Sequence, residues 1–426
     1  MLTWEDIIDA EAISSRYEYG RMCSGITVLR QGRALIAMLP HEGFRTLSSG
    51  YTNGGYMDSA LAVVNITSMG GKAEMTCMAQ GLDTYDQVNH RYAEKLGLDP
   101  ARTVFQGTAA NMDNAAIVNG ISDDGINVSF AVTAGIRHNG GRAGDPAYFD
   151  EASYVYSETP GTIITIMAVD ADLSDGAMFQ AMLLATEAKS CVIQELQAKS
   201  LYSKGIATGS GTDQVVVISN KNSSVKLDSV QKGSELADAI AKNMASALRE
   251  AFDRQSGMNT ETQWDPLMIM SRYGLTVETV REEIRFPARM DELLSALEAL
   301  RRNGYCTAVL TALMRIGDDI SVGLLEEEAG MGLAKDICEQ MVLEDTSDPV
   351  VRLRLKDIDN VPDLISYVSA LKLMETVKAR REAHGNRGHR DRPQQAEHRA
   401  PQRHPRCAVH EVRHAARHLQ DNSRQR

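Results

Sequence analysis

No apolar run in this chain is long enough to cross a bilayer. Runs such as Thr162 to Val169 fall far short of the roughly 20 residues a spanning helix needs, so no membrane partner is expected. The first ten residues carry Glu5, Asp6 and Asp9 where an export signal would place a basic segment and then an apolar one, which points to a cytoplasmic protein. Cysteine is sparse: Cys23, Cys77, Cys191, Cys306, Cys338 and Cys407 form no CxxC pair and no cluster with histidine at metal-ligand spacing. Structural zinc and a disulfide framework are thereby disfavoured, no metal site is expected, and the thiols are read as buried and reduced. Histidine is nearly absent from the body of the chain, where only His41, His90 and His138 precede residue 383. The net charge of −12 conceals an asymmetry, because residues 383–426 hold ten arginines against four acids, an excess of six that leaves residues 1–382 at −18. So acidic a body disfavours nucleic acid as a partner.

What is present is ordinary globular material, 426 residues with 43% hydrophobic and 24% charged, enough for two or three domains. Residues 1–255 read as mixed α+β. Strand-like stretches lie at Ile26 to Leu39, Thr103 to Thr108, Asn127 to Ala134, Thr162 to Val169 and Gln214 to Ser219. Helices are predicted over Ser174 to Leu196 and Ser234 to Arg254, the second placing Leu236, Ile240, Met244, Leu248 and Phe252 on one face. Strands apolar on both sides need cover on both sides, so a layered αββα-like sandwich is expected, helices outside and sheets inside. Residues 256–380 read as an all-helical module, with helices at Thr276 to Ile284, Met290 to Arg302, Tyr305 to Ile316, Leu333 to Leu343 and Pro362 to Ala379. Within it VRLRLKDID (351–359) alternates and reads as one added strand. Residues 381–426 read as a disordered basic tail, because from Ala383 onward there is no Lys, Ile, Phe, Tyr, Trp, Met or Thr, and the Arg/His bias suggests out-of-frame translation.

Three segments carry candidate chemistry. Arg45-Thr46-Leu47-Ser48-Ser49-Gly50-Tyr51-Thr52-Asn53-Gly54-Gly55 gathers hydroxyls, an amide and a cation on a glycine-rich turn, the types that bind and polarise an amide carbonyl, although Asn-Gly alone is more often just a turn. Next come Asn111 and Asn114, three apart and able to face one ligand or merely to cap a helix, followed by Asn139-Gly140-Gly141-Arg142-Ala143-Gly144-Asp145-Pro146. That loop is either flexible surface or a backbone N–H cradle completed by Arg142. The third and strongest is a buried strand ending in Asp170-Ala171-Asp172, a helix containing Thr186-Glu187-Ala188-Lys189, and the turn Ala207-Thr208-Gly209-Ser210-Gly211-Thr212-Asp213 entering another strand. Groups at strand ends converge naturally, but Asp170 and Asp172 can simply cap the helix, and Glu187 and Lys189 are by default solvated charges.

In order along the chain, RTLSSGYTNGG, NMDNAAIVNG, NGGRAGDP, GTIITIMAVDADLS, LLATEAKSCVIQEL and ATGSGTDQVVVIS resemble the motif series of the adenosylcobinamide amidohydrolases, over roughly Ile26 to Phe252. Ser210 stands where that family more often has threonine, which keeps a hydroxyl, and Asn222 to Ser234 lacks a histidine associated with the segment before the final helix. The resemblance implies hydrolysis of the amide joining aminopropanol to a corrin-ring propionate, as in cobalamin salvage, with a small-molecule corrinoid as partner and cobalt arriving in that substrate rather than as a protein cofactor. Such chemistry needs a nucleophile, oxyanion donors and an acid for the leaving amine. No histidine sits in the strongest motif, so a Ser-His-Asp arrangement is disfavoured. The candidates are Thr208, Ser210 or Thr212 as nucleophile or water-orienting hydroxyl, Asp213 or Glu187 as general base, and Asn53 with the Gly54 and Gly55 amides as oxyanion donors. Arg45, Ser48, Ser49, Asn111, Asn114, Arg142, Asp170, Gly209 and Gly211 are candidate substrate contacts. A weaker similarity of strand, helix and turn order to self-processing aminopeptidases also implies an αββα architecture. The rival functions are a non-catalytic corrinoid-binding protein and a peptidase-like amidohydrolase, and a homo-oligomer is compatible with either.

Overall fold

Strands such as Thr162–Val169, buried at all eight positions, can exist only between two covering layers, and the fold supplies both. The computed structural model describes residues 13–67, 82–147, 149–150, 155–156, 162–276, 278–279, 282, 287–343 and 349–390. One sheet runs in the order β1 (Tyr17–Arg21), β2 (Thr27–Gln31), β3 (Ala34–Met38), β6 (Ala62–Thr67) and β7 (Thr103–Thr108). It is antiparallel except for β6 and β7, which run parallel. The helix α1 (Leu82–Lys95) falls between those two strands in the chain. The other sheet has the order β5 (Gly55–Asp58), β4 (Phe44–Ser48), β16 (Gln214–Asn220), β13 (Thr162–Val169), β9 (Asn127–Gly135) and β8 (Ala116–Ile121). Here β13 and β16 are the parallel pair, with α2 (Asp175–Glu195) between them in sequence. Three two-stranded pairings complete the set: β10 (Gly140–Gly141) with β15 (Gly209–Ser210), β11 (Phe149–Asp150) with β12 (Val155–Tyr156), and β14 (Asp172–Leu173) with β17 (Lys226–Leu227).

Side-chain alternation sorts these strands into layers. Val28, Leu35, Val63 and Val104 from the first sheet meet Ala131, Ile164, Ile166, Val216 and Ile218 from the second in one apolar layer between the sheets. The opposite face of the first sheet (Ile36, Val64, Ile66, Phe105) packs on Val88 and Tyr92 of α1 and on Leu96 just after it. The opposite face of the second sheet (Phe130, Val132, Ile163, Met167, Val217) packs on α2 and α3 (Glu235–Ser256). The result is the expected αββα sandwich in a mixed α+β chain. Both long helices begin where their capping residues direct: Ser174 Oγ accepts from Ala177 N and Ser234 Oγ from Ala237 N, each at 3.2 Å. The face Leu236, Ile240, Met244, Leu248 and Phe252 is buried throughout.

Two readings need correction. The single strand expected from Ile26 to Leu39 is a hairpin, because Gly32 takes φ of +53° and turns β2 back on β3. Residues 351–359 are not a strand: Pro349–Asp357 is a helix, with Pro at its first position and Val351 and Leu355, four apart, as its buried residues. The alternation of VRLRLK thus masked a helical face.

The helices α4 (Pro266–Ser271), α5 (Met290–Arg301), α6 (Gly304–Ser321), α7 (Glu327–Leu343), α8 (Pro349–Asp357) and α9 (Val361–Arg390) share a core of their own, built from residues such as Leu297, Leu313, Met314, Cys338, Leu364 and Val368. Most of the helix expected over Thr276 to Ile284 lies outside the described residues. The chain divides into two compact units, Met1–Val377 and Lys378–Arg426. Helix is assigned through Arg390, inside the stretch expected to be disordered, and residues 391–426 lie outside the described residues. No helix among the described residues is long and apolar enough to cross a membrane. Cys306 and Cys338 are buried, and burial pushes the Cys338 thiol up to about 12, whereas Cys191 is exposed on α2, contrary to the expectation for all thiols. Cys77 and Cys407 lie outside the described residues.

Ile240 is fully buried between α3 and the second sheet. Ile240→Ala is expected to cost about 2–5 kcal/mol, read as a lowered urea midpoint at unchanged m. A loss below about 1 kcal/mol would be too small for a helix that closes this core.

Candidate active site

The turn between α2 and β16 is organised by one carboxylate. Asp213 Oδ1 accepts from Ile163 N at 3.0 Å and from Ser210 Oγ at 2.5 Å. Its Oδ2 accepts from Ser210 N at 3.1 Å and from Lys189 Nζ at 2.5 Å. The Lys189 and Asp213 side chains retain only 10% and 13% of their exposure, so each charge depends on the other. A Cβ on Gly209 would stand 2.3 Å from Asp213 Oδ2 and 2.8 Å from Lys189 Nζ, which is why the turn carries glycine there. Lys189 departs from the default for a helical lysine: it borders the buried stripe Ala185, Ala188 and Val192 of α2 and turns inward. Glu187, two residues earlier, stays exposed and pairs with Lys232, away from the turn.

Three hydroxyls frame this carboxylate, and they are held differently. Ser210 is half-buried and donates directly to Asp213. Thr208 Oγ1 accepts from Ala143 N at 2.9 Å, while its backbone N–H donates to Gly141 O. Thr212 Oγ1 lies 2.6 Å from Thr162 Oγ1. The pairing of β10 with β15 therefore lays the Asn139–Pro146 loop along the turn, joining two of the three motifs. Gly211 is exposed at the tip.

That loop is secured from behind. Arg142 Nη1 donates to Ile206 O at 3.1 Å. Asp145 Oδ2 accepts from Arg142 N at 2.6 Å and Ser200 Oγ at 2.5 Å. Burial raises the Asp145 carboxyl, but hydrogen bonds from Ser200, Ser203 and the Arg142 backbone outweigh it and hold the group below its ordinary 3.8. The helical region backs the adjoining hairpin, residues 199–206, which is closed by antiparallel pairing of Lys199 with Ile206. Arg272, 5% exposed, makes a bidentate pair with Asp318 at 2.8 and 2.6 Å and donates from Nε to Lys204 O at 2.8 Å. A cavity of about 620 Å³ opens here, walled by Arg142–Asp145 and Ser203–Ile206 on one side and by residues such as Tyr273, Ile320, Leu324 and Val361 on the other.

The first motif is split between the two ends of β4. Ser49 sits at the candidate turn, exchanging hydrogen bonds with Val215 through its N–H (3.0 Å) and its Oγ (2.9 Å). Ser48 Oγ accepts from Gly50 N. Asn53 has φ of +53°, and its Nδ2 is committed to Pro100 O and Thr103 O at 2.7 and 2.6 Å. A Cβ on Gly54 would meet Gly50 O at 1.9 Å, so this glycine closes the turn, and Gly55 (φ +75°) leads into β5. Arg45 lies at the opposite end, opposite Ser219, five residues along β16 from Gln214 and about 17 Å away by strand rise. There it pairs with Asp172, and Asp170 accepts from Ser24 Oγ and Asn220 Nδ2. Arg45 and Asp170 therefore do not join the Asp213 cluster. Asn111 caps its short helix, and its N–H and Asn114 Nδ2 both donate to Gln255 Oε1 of α3.

Sequence reasoning missed a second polar group, between the sheets. Asn65 on β6 and Gln106 on β7 are directly paired in register, each 1% exposed. Asn65 Nδ2 donates to Thr133 Oγ1 of β9 at 2.9 Å, and Gly107 N donates to Gln214 Oε1 at 3.2 Å, next to Asp213. A polar residue within each of the apolar runs AVVNIT and TVFQGT was the available signal.

In this αββα sandwich a hydroxyl, a carboxylate and an ammonium are thus assembled where two glycine-rich motifs meet. A model of the adenosylcobinamide amidohydrolase (CbiZ) family matches residues 21–260, more than half of the chain, and the chain belongs to that family. An uncharacterised protein of Methanocaldococcus jannaschii, MJ1613, is 32% identical over 187 residues, covering 40% of this chain and 71% of its own. The PH0078 protein of Pyrococcus horikoshii OT3, known from a crystal structure, aligns over 63% of this chain and 94% of its own at 14% identity, with a TM-score of 0.27, too low to carry an argument.

Removing Lys189 strands a buried carboxylate. Lys189→Met is expected to lower stability by roughly 3 kcal/mol, measured by denaturant unfolding at neutral pH, and a variant as stable as the parent contradicts the buried pair. Asp145 contributes stability that is present above its unfolded value and lost as pH falls through its depressed folded value. Asp145→Asn should therefore be less stable than the parent at pH 7, and the gap should close below about pH 4. A gap that stays constant between pH 7 and 3 excludes this account.

Proposed function

We propose that the chain hydrolyses the amide linking aminopropanol to a propionate of the corrin ring in adenosylcobinamide, yielding adenosylcobyric acid and aminopropanol, in the cytoplasm and in the service of cobalamin salvage. The observation that supports this most directly is the short hydrogen bond from Ser210 Oγ to Asp213 Oδ1 beside Lys189 Nζ. It gives an accessible hydroxyl a proton acceptor in place, with a cation at hand to balance charge. Ser210 Oγ attacks the amide carbonyl while its proton passes to Asp213. Collapse of the tetrahedral intermediate breaks the C–N bond, and Asp213 returns the proton to the leaving amine. Water, deprotonated by the same carboxylate, then cleaves the ester and restores Ser210. Thr208, held by the Ala143 amide, and Thr212, held by Thr162, shape the turn around it. Arg142, with donors left beyond its bond to Ile206 O, contacts the substrate. Cobalt belongs to the substrate, and the scheme uses no protein-bound metal.

The decisive experiment is incubation of the chain with adenosylcobinamide, with adenosylcobyric acid and aminopropanol followed by mass spectrometry. Ser210→Ala and Asp213→Asn should each reduce turnover by about 100-fold or more while the corrinoid still binds. Tight binding without product from the parent protein identifies a corrinoid-binding protein instead, and a fully active Ser210→Ala transfers the attack to another group.

A further inference from the structure

Three buried polar atoms beside the candidate site find no hydrogen-bond partner among the described residues: Gln106 Oε1, Gln106 Nε2 and Asn65 Oδ1. Leaving such groups unpaired forfeits their hydration with nothing in return, and folded proteins keep few of them. Here they occur on adjacent strands and on one face. Val63 and Val104, two residues before Asn65 and Gln106, belong to the apolar layer between the sheets. The Asn65 bond to Thr133 of the opposite sheet shows the same orientation. The neighbouring residue, Gly107, is tied to Gln214 and thereby to the base of the Ala207–Asp213 turn.

We infer that Asn65 and Gln106 form a recognition site for a primary carboxamide. The hydrogen-bonding inventory matches group for group. Gln106 Nε2 supplies a donor for the carboxamide oxygen, while Gln106 Oε1 and Asn65 Oδ1 supply acceptors for its two N–H bonds. A carboxylate has no N–H to give and sets its oxygens against two acceptors. An ester leaves both acceptors empty. The pair therefore discriminates amide from acid and from ester at a site sealed from water, where the mismatch is felt most strongly. The layer closes over the three atoms, so the amide must part it to enter. The inference rests on the proposed reaction only for the molecule that carries the amide: a corrinoid with carboxamide side chains would seat one of them here while Ser210 faces the scissile bond.

The test uses propionamide, propionate and methyl propionate as probes on the full chain. Propionamide should raise the melting temperature with concentration and shift the ¹⁵N side-chain amide resonances of Gln106 and Asn65. Propionate and methyl propionate should do neither. Gln106→Leu and, as a second substitution of equal volume, Gln106→Glu should lose the response and raise KM for adenosylcobinamide about tenfold or more, with a smaller effect on kcat. Equal responses to propionamide and propionate overturn the site. So does a Gln106→Leu variant that is more stable than the parent with unchanged KM, as expected if the atoms only hold resident water. Propionamide binding without adenosylcobinamide turnover removes the proposed reaction and leaves the site, whereas turnover with an unaltered KM in both variants removes the site and leaves the reaction.

Discussion

A carboxylate that accepts four hydrogen bonds fixes everything around it, and Asp213 is in that position. Its bond from Ile163 N pins the start of β13 to the start of β16, two parallel neighbours that the chain reaches only after crossing α2. Its bonds from Ser210 fold the turn back on itself, and its pairing with Lys189 sets the rotation of α2 about its own axis. A negative charge this deep is tolerated because the ammonium and the donors are already arranged when it is desolvated. The same arrangement excludes a side chain at Gly209 and aligns the Ser210 hydroxyl. The candidate chemistry is thus a by-product of satisfying one buried ion.

The two sheets divide the labour. The second sheet carries the turn, the paired Gly140–Gly141 loop and the helix bearing Lys189. The first contributes the Asn65 and Gln106 amides from its parallel strand ends, and Gln214 bridges the two through Gly107. Polar groups enter the inter-sheet layer at this end, while the middle of the layer stays apolar with Ile164, Ile166 and Val216. The opposite end is occupied by the Arg45, Asp172 and Asp170 network, which braces strand ends about 17 Å from Gln214.

The fold was largely legible because its signals are local. Ser174 and Ser234 announce helix starts, and the run Thr162–Val169 announces a strand covered twice. What misled was a pattern with two readings: VRLRLK alternates like a strand yet buries Val351 and Leu355 at helical spacing, and only packing against neighbours decides between them. The candidate site was legible only as segments that could meet. Spacing along the chain pointed to the ATGSGTD turn and the NGGRAGDP loop, which the structure does bring together. It could not say that Lys189 turns inward while Glu187 turns out, since two residues on a helix differ by about 200° of rotation and either could face the core. Nor could it separate Arg45, near the start of β4, from Ser49, one residue past its end, although β4 spans the sheet from one network to the other.

The Arg272 guanidinium divides its donors between Asp318 within the helical region and the Lys204 carbonyl of the sandwich. The two regions have separate apolar cores, and separate cores usually open as independent cooperative units. A nearly buried cation shared across the boundary changes that, because detaching either partner strands a charge with little access to water. Partial opening of the helices is penalised at the hairpin, and loosening of the hairpin is penalised in the helices. These two regions therefore have reason to melt together, and damage to the helical region propagates through the Lys204 carbonyl to the loop that carries Arg142.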